Sequence, residues 1–223
     1  MNSDIQTVKG VLSGTYAVMD DLTVLRALRD ASIDLETFIY ESDDYKSEMS
    51  IQLADSVHIQ LGSGYHVECQ STIENSDTAG SSLWLKTRAN IWHHSEAYVL
   101  NAGTDESVSS RVIHRGNVDT RFSLALTNFL DTEKARRDIL EGKFISLVED
   151  DSPEIADIMQ ANVLTRMREQ KHEHIATRYE TAHIIPPIGT MHVLTRVLGM
   201  KTHIDVTRSE REYIDKFALD LLW

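Results

Sequence analysis

The sequence predicts an α+β fold: an antiparallel sheet over about residues 33–115, flanked by an N-terminal helix (1–30) and a mainly helical C-terminal half (117–223). Three observations carry this expectation. Apolar residues recur at spacings of three and four before residue 30, alternate with polar ones between about 45 and 115, and return to the longer spacing after 117. With no low-complexity linker and no internal repeat to divide the 223 residues, a single α+β domain is expected.

Each element has its own signal. Val8, Val11, Leu12 and Tyr16 begin a helical pattern that Leu22, Leu25 and Leu28 repeat, with Asp20 or Asp21 as the cap of the second part. Tyr45, Met49, Ile51 and Leu53 then switch to the two-residue period of a strand. Val57, Ile59 and Leu61 alternate up to Gly62-Ser63-Gly64, and Tyr65, Val67 and Cys69 resume beyond it, which is the signature of a hairpin. Ser71–Ser82 reads as a polar loop, followed by strands at Leu83–Trp92, Ala97–Leu100 and Arg111–His114.

Asn117 caps an expected helix carrying Phe122, Leu126, Phe129 and Leu130; a second piece, Thr132–Glu141, is expected to stop at Gly142, with Phe144–Val148 as a further strand. Ser152-Pro153-Glu154 opens a helix expected to run unbroken to about Ala182 and to halt before Pro186-Pro187. A shorter helix is expected at Thr190–Leu198. Thr207-Arg208-Ser209-Glu210 is a capping box that opens the last one.

Composition narrows the function. The formal net charge of -13 excludes a chain-wide basic surface of the kind that holds nucleic acid by counterion release. Cys69 is the one cysteine, so an intrachain disulfide or a multi-thiolate zinc site is excluded. The first residues lack a basic start and an apolar run, and no stretch approaches the roughly 20 apolar residues of a membrane span. A cytoplasmic protein, or part of an assembled particle, is expected. Phosphate-loop, dinucleotide-binding and nucleophile-elbow motifs do not occur.

Three groups of residues remain as candidates. Glu169 with His172 and Glu180 with His183 are Glu-x-x-His pairs; on one helix, residues three apart share a face and could ligate a divalent metal. Arg111, Arg115 and Arg121, with His114, form a local basic stretch suited to nucleic acid. Phe217, Leu221, Leu222 and Trp223 continue an apolar stripe that must be covered either by the chain's own core or by a partner. The paired His93 and His94 point to opposite faces on a strand, a restriction that a turn would relax.

Since no catalytic constellation emerges, the leading expectation is a non-catalytic assembly subunit of a multi-subunit particle, such as a virion or tail component. It would act through protein–protein contacts as a homo-oligomer or larger assembly, without a cofactor. The alternatives are a metal-dependent hydrolase or nuclease using the Glu and His residues, and a regulatory module binding nucleic acid or protein.

Overall fold

A computed structural model describes residues 17, 19–31, 33, 35–42, 47–61, 64–76, 83–102, 109–113, 115–149, 151–170, 172–183, 185–203 and 206–222. Helix α1 (Asp21–Asp30) is followed by strands β1 (Leu35–Ser42), β2 (Ser47–Gln60), β3 (Tyr65–Ser76), β4 (Leu83–His93), β5 (Glu96–Asn101) and β6 (Ser109–Val112). Helices α2 (Val118–Glu149), α3 (Pro153–Glu169), α4 (Glu173–Ala182), α5 (Thr190–Gly199) and α6 (Arg208–Leu222) complete the α+β fold, with a 3-10 turn at Met200–Thr202. The strands form one sheet in the order β1-β2-β3-β4-β5, and β6 pairs with β4 as well. β1 pairs with β2, β4 with β5 and β4 with β6 in antiparallel fashion. β4 is shared between two partners: Leu83–Lys86 pairs with β6, and Arg88–His93 with β5. Among the described residues, no helix is long and apolar enough to cross a membrane.

The local signals act where they stand. Asp20 accepts from the Thr23 N–H at 2.8 Å, and Ser152 from the Ile155 N–H at 3.2 Å, so both helices start on a side-chain cap. The capping box closes in both directions: the Glu210 N–H donates to Thr207 Oγ1, and the Thr207 N–H donates to Glu210 Oε2. Gly64 takes φ +79° at the β2–β3 turn, a value that favours glycine. The helical pattern at Val8–Tyr16, Tyr45 and the Gly62-Ser63 pair lie outside the described residues.

Four expectations are corrected. β3 runs through Ser71 and Thr72, which are fully buried, so the polar segment begins as strand rather than loop. Glycine stops a helix by taking a left-handed backbone, yet Gly142 has no positive φ and lies inside α2. Arg137, Leu140 and Phe144, spaced at three and four, are buried, so residues 144–148 are helix and not strand. The helix opened by Ser152 breaks at Gln170–His172, giving α3 and α4 in place of one.

The chain divides into two compact units. One is drawn from Met1–Ser56, Gln70–Thr87 and Glu106–Arg137. Its core joins Val24 and Leu28 of α1, Phe122, Leu126 and Phe129 of α2, and Ile51, Ile73, Leu83, Leu85 and Val112 of the sheet. Burying each of the larger side chains contributes roughly 1.5–3 kcal/mol. Asn75 of β3 donates to Met19 O at 3.0 Å and to Asp21 Oδ1 at 2.8 Å, fastening the strand to the start of α1. Lys86, nearly buried, pairs with Glu74 at 2.7 Å.

The second unit is drawn from Val57–Cys69, Arg88–Asp105 and Asp138–Trp223. Its centre is α5, which packs against α3, α6 and β5. Every residue from Val193 to Leu198 is buried, so this helix is covered all round. Gly199 brings α5 close to β5, since a Cβ there would sit 3.4 Å from the Tyr98 ring.

Candidate functional site

The break between α3 and α4 falls inside the first Glu-x-x-His pair. Glu169 ends α3, while His172 caps α4 and stacks on Tyr213 with 3.7 Å between ring centroids. Glu180 accepts from Arg168 Nη2 at 2.8 Å. His183 ends α4 and meets the buried Tyr179 ring edge-on at 4.8 Å. Glu169 and His172 therefore do not share one helix face, while Glu180 and His183 stand together at the end of α4. Among the described residues, no three His, Cys, Asp or Glu side chains are placed to hold one metal ion.

In the first unit, Arg111 covers the Trp84 ring at 5.3 Å, a cation–π contact. Arg121 donates to the backbone carbonyls of Ile113 (3.2 Å) and Arg115 (3.0 Å), bracing the turn ahead of α2. Arg115 itself is exposed, and His114 lies outside the described residues. Two of the three arginines expected to face nucleic acid thus have structural contacts.

The apolar stripe of α6 is largely covered by the chain's own core. Phe217 and Leu222 are buried and Leu221 is half-buried, so Phe217 and Leu222 are corrected from interface to core; Trp223 lies outside the described residues. Arg166 crosses the Phe217 ring at 5.1 Å and pairs with Asp220 at 2.7 Å.

Two polar groupings in the second unit go beyond the expected sites and share with the candidates only His93, His94 and His183. The first lies on β2, β3 and β4. His58 Nδ1 is 3.4 Å from His66 Nε2, and its Nε2 is 3.6 Å from Glu68 Oε1. Trp92 flanks His66 at 5.5 Å, and Asn90 donates to Glu68 at 3.2 Å. Because the carboxylate and His66 approach opposite nitrogens of the His58 ring, the three form a chain rather than a ligand cage. At the β4–β5 turn, His94 takes φ +54°, which lets its ring lie 4.2 Å from His93 instead of on the opposite face. His93 in turn stacks on buried Tyr65 at 4.1 Å.

The second grouping surrounds Arg196. This α5 residue is buried, and its guanidinium donates to Gln160 Oε1 at 2.8 Å, to His192 Nε2 at 3.1 Å and to Pro186 O at 3.5 Å. Burial, reinforced by the Arg196 charge and by His192, pushes His183 down to about 4. Burial also lowers His192, with Arg196 and His93 acting in the same direction, and it raises the Tyr179 phenol. Two half-buried imidazoles held neutral beside a buried cation are an arrangement suited to ligand recognition. The signal that could have found it is a histidine and an arginine four apart in the otherwise apolar run Thr190–Gly199.

No protein-family model, curated protein or solved structure matches this chain.

Proposed function

We propose that this protein is a non-catalytic assembly subunit, which associates with further copies of itself into a multi-subunit particle in the cytoplasm. The supporting observation is the apolar surface that the second unit leaves in water. Ile155 and Ile158 of α3 are 40% and 63% exposed, and Ile185 and Ile188, on either side of Pro186-Pro187, are 74% and 66% exposed. Single exposed apolar side chains are ordinary, but two isoleucine pairs within one unit offer material for an interface. A net charge of -13 opposes self-association at low ionic strength, so added salt should favour it.

Sedimentation velocity across a concentration series tests this reading. The expected result is a mass above the 25.3 kDa of one chain that grows with concentration and with salt. Ile158→Asp and Ile185→Asp should return the protein toward the monomer. A monomer at every concentration would overturn the reading, as would a monomer shown by native mass spectrometry to carry a stoichiometric metal ion.

A further inference from the structure

Hydrogen bonding beside Arg196 is unmatched at two side chains, His192 and Tyr179. His192 shows this most directly, because it meets a donor at each ring nitrogen: Arg196 Nε at 3.1 Å from Nε2, and the Ile188 N–H at 3.2 Å from Nδ1. A neutral imidazole has one lone pair in its plane, so it can accept from only one of them; a protonated imidazole can accept from neither. One donor is left over in either case. The Tyr179 hydroxyl, on a fully buried residue, has no hydrogen-bond partner among the described residues. Arg196, 8% exposed, has Gln160, Pro186 and His192 as its bonded partners, none of them a carboxylate. Asp151, at the approach to α3, is engaged by the Thr190 N–H at 2.5 Å and by the Thr190 hydroxyl at 3.0 Å.

Leaving a buried donor unmet is costly, and a buried guanidinium without an anion more so. We propose that the Arg196 centre is a binding site for a tetrahedral oxyanion of the phosphate class, held by Arg196, the Tyr179 hydroxyl and whichever donor His192 leaves unmatched. The shape of the ligand follows from the contacts already made. A planar carboxylate pairs best with two parallel N–H groups along one edge of the guanidinium. Here His192 takes the Nε–H and so closes the side-on fork, while Gln160 and Pro186 each take one N–H of a terminal nitrogen and leave one N–H on each. A tetrahedral oxyanion can instead accept single bonds from donors arriving in several directions. His183 and His192 are half-buried, which places the edge of the centre within reach of solvent.

The test is titration of the full chain with inorganic phosphate at pH 7.5, following the imidazole resonances of His183 and His192 by NMR, with acetate as the comparison. Saturable shifts of both rings, with acetate at least about tenfold weaker, are expected. Tyr179→Phe removes one hydroxyl from an otherwise unchanged ring and should weaken phosphate about tenfold, the value of roughly one hydrogen bond to a charged group. Arg196→Gln should abolish binding; should that variant not fold, Tyr179→Phe decides. The proposal is overturned by the absence of saturable shifts at tens of millimolar phosphate, by equal binding of acetate, or by unchanged affinity in Tyr179→Phe.

Discussion

Lys201 Nζ lies 2.6 Å from Asp215 Oδ1, joining the 3-10 turn after α5 to the buried side of α6. Lys201 also donates to Val99 O at 2.6 Å, while Asp215 accepts from the backbone and side-chain nitrogens of Asn101 at 3.0 and 3.2 Å. One ion pair thus ties β5, the turn and α6 together. Removing either partner leaves the other charge buried. Lys201→Met and Asp215→Leu should each destabilise by about 3–5 kcal/mol, whereas the double variant should cost less than the sum. Urea denaturation of the two singles and the double variant measures this coupling.

Gly189 is required for lack of room rather than for an unusual backbone. Its φ of 178° is open to any residue, but a Cβ there would overlap the Asp151 carboxylate that caps Thr190. Gly189→Ala should therefore destabilise by about 1–3 kcal/mol, as over-packing does. In the Asp151→Ala background the same substitution should cost measurably less, because the overlap is gone. Thermal melts of the two singles and the double variant give the comparison.

Acid should weaken the protein in a window set by His183. Its folded-state value of about 4 lies below the ordinary histidine value of ~6.5, so the unfolded chain takes up the proton first. This contribution to stability is full above ~6.5 and is lost as pH falls toward 4. Glu210 acts lower, since hydrogen bonds from Thr207 hold it at about 2, and its contribution is lost between the ordinary carboxylate range and that value. Urea midpoints should decline from pH 6.5 to 4 in the parent and decline less in His183→Asn. Arg196→Gln should move the His183 titration midpoint upward.

Cys69 is fully buried on β3. A thiol reagent should label the folded chain only through opening of the structure, and label one thiol per chain at once in denaturant. Fast labelling under native conditions would contradict that burial.

What the sequence made legible was local. Asp20, Ser152-Pro153, the Thr207–Glu210 box and the Gly64 turn each act within a few residues of themselves, and each appears in the structure where the letters place it. What it concealed depends on residues far along the chain. Gly142 looks like a helix stop until Leu140 and Phe144 are buried on the same helix. Thr72 and Asn75 look like loop until Lys86 O and Met19 O supply their acceptors. The Arg196 centre adds Gln160 and Pro186, from other segments, to the His192–Arg196 spacing on α5, and no spacing announces those two.

Each compact unit is assembled from three separated stretches, so neither corresponds to a continuous piece of the gene product. A proteolytic nick between residues 57 and 137 cuts the chain path of both units at once. Loop closure must also precede much of the stabilisation, which favours slow folding governed by contact order. Point substitutions, circular permutation and split-chain complementation are the routes by which the two halves of this architecture can be separated.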